Sequence, residues 1–413
     1  MHYWLRKHLR RFSFNLAAAE TSSATPFGMR SKLIAAALIG SCTAQMQFES
    51  AQVAGMIDEN FLDEISGMFA MRNSDNAGKI ITCHDSDAEY LFVLNSDGSY
   101  NSRIDLALDN WRDAEEITGY TKNGTNYIVL CEFGDNPANR DKKYLFRFEE
   151  PSLDSSTVVV EDWDKIAYRL PSSPVLEKGQ NRGDFEGAFI DVTDNKMYFF
   201  SKRMPVNYIY SLPIQDEYIG TQTLTFEGLM HANVAEETGG VISPANCVGA
   251  ALSRDGNTAL IKTYNMVFQF NRTDGRDWVD ILRNEPPTIV SSYVGRGSAP
   301  AKEPQGESIC FDVNDAGFCT VSEFRGNDEV ALFYYPKEVE LPPFDWSYSK
   351  TEVNKHHFTV TNGYTIILQS STDLVNWSVV DSPFEVIDNG NGASTYIYTR
   401  EDKDREFFRY GIL

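Results

Sequence analysis

The stretch Asn181–Arg203, NRGDFEGAFIDVTDNKMYFFSKR, decides the fold. Asp184 and Glu186 form an acidic lead-in, Gly187–Val192 a first strand, and Met197–Ser201 a second strand that ends in Lys202-Arg203. Between them Thr193-Asp194-Asn195 is turn chemistry, because short polar side chains bond their own backbone and tolerate left-handed geometry. The same hairpin, with its lead-in and its exit, returns in altered words along the chain. Recurrence at roughly 50–70 residues points to a repeat architecture.

Five copies can be read. The first runs from Glu64-Ile65-Ser66-Gly67 through Lys79–Cys83, His84-Asp85-Ser86 and Tyr90–Leu94 to Tyr100–Leu106. The second opens at Asp113-Ala114-Glu115-Glu116 and continues through Tyr127–Cys131, Glu132–Asn136, Tyr144–Phe148 and Thr157–Arg169. The third is the stretch above, followed by Tyr208–Leu212 and Thr223–Leu229. The fourth replaces the acidic lead-in with Asn246-Cys247-Val248-Gly249, then runs Ala250–Ser253, Thr258–Thr263, Met266–Phe270 and Thr288–Val294. The fifth opens at Gln305-Gly306-Glu307 and runs Ser308–Val313, Gly317–Ser322, Glu323 and Val330–Tyr335. Each copy offers about four short strands, and radially repeated four-stranded sheets make a β-propeller. The sequence therefore predicts an all-β chain with a five-bladed propeller over residues 45–340; a sixth blade assembled from the termini is the variant. An irregular β-sandwich is the competing fold, but it has no reason to repeat one hairpin's ends in every copy.

The flanks read differently. Arg30 and Lys32 precede an apolar run, Leu33–Gly40, and a small-residue end, Ser41-Cys42-Thr43-Ala44, which together read as a secretory signal. Release after Ala44 gives a secreted or periplasmic protein; Ile39-Gly40-Ser41-Cys42 also passes as a lipobox that would leave Cys42 acylated at the cell surface. Residues 1–28 read as an upstream extension. After Tyr335, Pro336 and Leu341-Pro342-Pro343 form a linker. Residues 345–413 then form a separate small β-sandwich-like module. His356-His357 within it is no metal pair, since neighbours on a strand face opposite ways.

Asp and Glu outnumber Lys and Arg by 59 to 37, a formal charge of −22. That field repels phosphate backbones and anionic lipid, so nucleic acid and membrane surfaces are poor partners. Cys83, Cys131, Cys247, Cys310 and Cys319 sit singly in apolar strands, with no Cys-x-x-Cys pair for zinc. Cys310 and Cys319 flank a short turn and could meet across a hairpin.

Ring closure tells where a site should lie. The first strand of a blade lines the channel and the second returns antiparallel, so the start of one and the end of the other share a mouth. The strand starts are Glu64, Glu115, Glu186 and Glu307. The strand ends are His84-Asp85, Glu132 with Asp135, Lys202-Arg203, Lys262 with Tyr264, and Glu323. Crowded carboxylates repel unless protonated, hydrogen-bonded or neutralised by a cation. Hard oxygen ligands from several blades suit Ca²⁺ better than Zn²⁺. Glu64, Glu115, Asp135, Glu186 and Glu307 are therefore the candidate metal ligands, and His84, Asp85, Lys202, Arg203, Lys262, Tyr264 and Glu323 the candidate ligand-binding residues. Each glutamate could equally serve as a clip that accepts backbone N–H bonds from the next blade. No Gly-x-Ser-x-Gly nucleophile elbow is present.

At these residues the chain resembles secreted bacterial β-propellers related to the phytase-like esterases. The likeness rests on Glu64-Ile65-Ser66-Gly67, His84-Asp85-Ser86, Asp113 with Glu115, Gly134-Asp135-Asn136, Asn181–Gly187, Lys262-Thr263-Tyr264 and Gly306-Glu307. It implies a secreted propeller, in some members with Ca²⁺ and phosphoester or ester hydrolysis. A Trp-Glu-Asp lead-in common in such proteins appears here as Ala114-Glu115-Glu116. The tail is similar to a small β-module appended to many secreted bacterial proteins, carried by Leu368–Trp377 and Phe407-Phe408-Arg409, and implies cell-envelope attachment or spacing. The leading expectation is a small anionic or sugar-like ligand held at the channel mouth. A Ca²⁺-dependent phosphomonoesterase or esterase is the rival, and a non-catalytic surface scaffold the third reading.

Overall fold

The computed structural model describes residues 46–412 except 58–61, 63, 86–88, 109–110, 173–182, 203–206, 232–246, 273–274, 324–329, 339–344, 349–354, 362–365, 372–377, 380–384, 389–392 and 400–406. The predicted signal segment with Cys42, and also Arg203 and Trp377, lie outside the described residues. Among the described residues no helix is long and apolar enough to cross a membrane. Contacts divide the chain at Glu338 and Val339.

Five antiparallel sheets form the blades. From the channel outward, blade one is Ile65–Ala70, Lys79–His84, Leu91–Asn95 and Tyr100–Asp105. Blade two is Ala114–Lys122, Thr125–Glu132, Lys143–Glu149 and Asp164–Arg169. Blade three is Phe185–Asp191, Lys196–Ser201, Tyr208–Pro213 and Thr225–Leu229. Blade four is Cys247–Leu252, Thr258–Thr263, Val267–Asn271 and Thr288–Ile289. Blade five takes Gly306–Phe311, Gly317–Ser322 and Val330–Pro336 from its own repeat and borrows its outer strand, Gln52–Ile57, from the start of the ring. The terminal strand thus completes the fifth blade and builds no sixth.

Period-two alternation explains why these strands radiate. In Lys196–Ser201, Met197 and Phe199 pack with Tyr120, Val129 and Phe133 of blade two. Tyr198 and Phe200, pointing the other way, pack with Ala259, Ile261 and Phe268 of blade four. A strand with both faces covered must be apolar on both, which is why the segment reads as a continuous run. The result is a separate core between each neighbouring pair of blades, and the last joins Val321 and Leu332 of blade five to Ile65 and Leu94 of blade one. Stacked sheets would give one shared core instead.

Two outer segments depart from the sequence reading. Thr157–Arg169, expected as one outer strand of blade two, divides: Thr157–Val159 pairs in parallel with Tyr100–Asp105 of blade one, and only Asp164–Arg169 stays in blade two. Gln222–Thr223 repeats the manoeuvre, pairing in parallel with Asp164–Arg169 before the chain enters blade three's outer strand. Each covers a sheet edge that would otherwise present unpaired backbone groups. The tight turn in blade two is Asn123-Gly124, both at positive φ (52° and 85°), the geometry a two-residue hairpin needs.

The C-terminal unit contains a sheet of Asp345–Tyr348, Lys355–Thr361, Ala393–Thr399 and Glu385–Asp388, and another of Ser378–Val379, Ile366–Ser371 and Phe407–Ile412.

Candidate functional site

Every innermost strand carries a β-bulge at the same place. The register shifts between Ile65 and Gly67, Ala114 and Glu116, Phe185 and Gly187, Cys247 and Gly249, and Gly306 and Ser308. The extra residues are Ser66, Glu115, Glu186, Val248 and Glu307. A bulge leaves one residue unpaired and re-aims its side chain. Here three of the re-aimed side chains are carboxylates, and ligand oxygens of Glu115, Glu186 and Glu307 all lie within 4.8 Å of one another, buried.

Glu64 is not their counterpart. Asp85 N–H donates to Glu64 O, Gly134 N–H to Asp113 O, Lys202 N–H to Asp184 O and Glu323 N–H to Gln305 O. Glu64 is therefore in register with Asp113, Asp184 and Gln305, two residues before the bulge, and its side chain is exposed. Blade one contributes Ser66 instead, whose hydroxyl donates to Glu115 Oε2 at 2.9 Å and reaches Glu307 Oε2 at 3.4 Å. Blade one has serine at the bulge, and Glu64, two residues earlier, belongs to the lead-in rather than to the strand start.

A second tier comes from the residue that follows each returning strand's last pair: Asp85, Phe133, Lys202, Tyr264 and Glu323. Lys202 Nζ bonds Glu186 Oε2 and lies 3.5 Å from Glu307 Oε1. Tyr264 donates its hydroxyl to Glu307 Oε1 at 2.6 Å, and its ring stands 5.4 Å from Lys202 Nζ. Glu323 takes a 2.5 Å bond from Gln305 Nε2, and the Glu307 carboxyl lies beside it. Asp113 lies similarly beside Glu115. The start and end of the hairpins do share one rim.

Electrostatics at this rim is one-sided. Burial pushes the Glu115 carboxyl well up, and the charges of Glu186 and Glu307 push it further against the pull of Lys202. Burial raises Glu186 too, with Lys202 opposing and Glu307 adding to the rise. Glu323, buried and facing Glu307 and Asp85, is pushed up to about 9. Burial works against the Lys202 ammonium, but Glu186 and Glu307 outweigh it and hold its pKa above the ordinary value. Five carboxyl groups (Asp113, Glu115, Glu186, Glu307, Glu323) thus surround one ammonium. Oxygens bound to one cation lie within about 5 Å of one another, so the three carboxylates stand close enough to share a metal ion.

Other predicted residues lie elsewhere. Asp135 accepts from Asn139 N–H at 2.9 Å and pairs with Lys143 at 3.2 Å, outside the converging triad. Lys262 is wholly buried, 3.0 Å from Glu303 Oε2, and donates to Gly306 O. It gives the mouth no open cationic side. The His84 ring packs on Phe92 at 4.8 Å, and Asp85 acts on Glu323 through space. Cys310 and Cys319 are cross-strand partners and both thiols are free.

Glu116 has a role the sequence did not announce. Its carboxylate accepts from Ile117 N–H and Ala250 N–H, each at 3.0 Å, and from Ala188 and Met68. One side chain on the channel axis therefore ties the inner strands of blades one to four. Glycines make the approach possible: a Cβ at Gly67 would stand 2.5 Å from Ile117 N, and one at Gly249 2.4 Å from Glu307 O.

No known family's sequence pattern matches the chain, and no curated protein matches it in sequence. Among solved structures, the fold resembles a 6-phosphogluconolactonase-like protein of Bacteroides uniformis, at 9% identity and a TM-score of 0.27, over 85% of this chain and 100% of that one. A superposition that loose assigns no activity.

Proposed function

We propose that the rim of bulge carboxylates is a divalent-cation site, calcium in size, through which an extracytoplasmic propeller holds a small anionic or polyhydroxyl ligand. The observation that carries this reading is the convergence of Glu115, Glu186 and Glu307 oxygens within 4.8 Å. An anion alone would meet net repulsion there, since Lys202 is already engaged by Glu186 and Glu307. A polyhydroxyl ligand would donate to the carboxylates, because the Ser66 and Tyr264 hydroxyls already give their protons to Glu115 and Glu307. When bound, the cation would neutralise the rim and polarise a ligand oxygen. Glu115, Glu186 and Glu307 would hold it, Lys202 would orient the anionic end of the ligand, and Tyr264 would fix Glu307.

The crowding of the Glu307 and Glu323 carboxyls favours a second reading. Burial, with Glu307 adding to it, pushes Glu323 up to about 9, and a proton held beside a bound ester is what a general acid supplies. Hydrolysis of a phosphoester or carboxylic ester, with Glu323 protonating the leaving oxygen, is that reading.

Titrating Ca²⁺ into metal-stripped protein, with melting temperature and heat recorded, tests the first reading; turnover of generic phosphate and carboxylate esters with and without chelator tests the second. Saturable Ca²⁺ binding that Glu186→Gln weakens supports the site. Protein that neither binds nor is stabilised by millimolar Ca²⁺ removes it.

A further inference from the structure

A second place in the molecule has the opposite character. Beside blade two, Ala107, Leu108, Trp111 and Arg112, the loop after Glu132 and the outer strands line an open cleft of about 790 Å³. Its floor is aromatic: Trp163 and Tyr144 are half-buried, and the Trp163 ring meets Phe146 edge-on at 5.6 Å. Its walls are basic, with Arg112, Arg140, Lys142 and Lys165 against Glu132 and Asp141. Arg140 is bound to Glu132 at 2.5 Å and so neutralised. Arg112, Lys142 and Lys165 are exposed and, among the described residues, pair with no carboxylate. Lys165 Nζ stands 4.1 Å over the Tyr144 ring, and Arg112 donates to Asn139 at 3.2 Å.

We infer that this cleft is a binding site for a small carboxylate with a flat apolar face, a uronic-acid disaccharide or an aryl carboxylate. Three cations that pair with no carboxylate among the described residues, gathered on one cleft of a chain with a formal charge of −22, favour an anionic partner. The flat face of Trp163 offers stacking area at little rotamer cost, while Lys165 caps the Tyr144 ring beside it. The volume suits a ligand of drug size, about two sugar rings. A long polyanion would be repelled by the rest of the surface, which sets single-stranded nucleic acid aside despite its liking for aromatic and basic grooves. The site is independent of the cation rim: none of its lining residues is a triad carboxylate.

The test is calorimetric titration of the full chain, in chelator, with digalacturonate, with ferulate and with a neutral disaccharide. Digalacturonate or ferulate should bind at least about tenfold more tightly than the neutral sugar, with affinity falling as salt rises, and whichever acid binds identifies the source. Arg112→Gln with Lys165→Gln should weaken that binding about tenfold or more, since each removes a charge-assisted contact. Both residues are exposed, so the melting temperature should stay unchanged and report an intact fold. Equal binding of the neutral sugar, or no binding of either acid at about 10 mM, overturns the inference. So does loss of binding on Glu186→Gln, which would move the ligand to the rim. Tighter capture of a short oligothymidylate than of either acid would also overturn it.

Discussion

Two buried lysines, Lys202 and Lys262, come from the second strands of neighbouring blades, Lys262 two positions earlier in its strand, and live in opposite circumstances. Lys262 meets one carboxylate, Glu303, with the Tyr293 hydroxyl donating to the same oxygen at 2.5 Å and a backbone carbonyl completing the set. Its charges balance and its bonds are local. Lys202 faces Glu186 and Glu307 directly, with Glu115, Asp113 and Glu323 behind them. Evenly matched charge is how a core tolerates ions; excess of one sign in a buried ring must be relieved by protons or by a cation. The contrast separates a brace from a site.

Removing one half of the balanced pair should have the largest effect. Glu303→Ala leaves a buried ammonium uncompensated and should cost about 3–5 kcal/mol in chemical denaturation; a loss no greater than that of a surface variant would show that the pair is not a brace. Next comes the cation. At one hundred times its dissociation constant, Ca²⁺ should stabilise the wild type by about 2.7 kcal/mol. Glu115→Gln with Glu307→Gln should erase that gain while leaving the Glu303 network alone.

Acidity sharpens the contrast further. Native Glu323 titrates near 9, whereas an unfolded glutamate titrates near about 4.3. The native state therefore binds the extra proton, and the stability this gives is full below the unfolded value and is lost as pH rises toward 9. Wild type should lose ground to Glu323→Gln in melting temperature across that window, and a difference that stays flat would refute the raised carboxyl. In metal-free protein Glu186→Gln should cost under about 1 kcal/mol, because relief of repulsion offsets the weakened bond to Lys202. Smallest of all, Glu64→Gln should change stability by less than about 0.5 kcal/mol and leave Ca²⁺ binding intact.

Much of this was readable from the chain. The five repeats, the shared rim and two of its tiers follow from strand alternation and ring closure, and Glu115, Glu186, Glu307, Lys202, Tyr264 and Glu323 do meet. Glu64 misled because blade one carries serine at the bulge, and a glutamate two residues earlier in the lead-in looked like its counterpart. Lys262 could have been placed from the repeats alone. Its pairing position, opposite Gly249, is held in the other blades by Cys83, Cys131, Phe200 and Val321, all core residues. A lysine there must find an internal partner. Glu303 supplies it from a connecting loop outside the repeated hairpin, so no periodicity could point to it. The edge-covering segments Thr157–Val159 and Gln222–Thr223 are too short for a pattern of their own.

The strand that finishes blade five is made first, and its hydrogen-bonding neighbour Val330–Pro336 is made last in the ring. During synthesis Gln52–Ile57 must therefore wait, unpaired, until nearly the whole propeller has left the ribosome. Only then do Glu307 and Glu115 become neighbours. Affinity for the ion would thus act as a receipt for complete translation, since a nascent chain stopped before its last blade has no assembled ring to hold it.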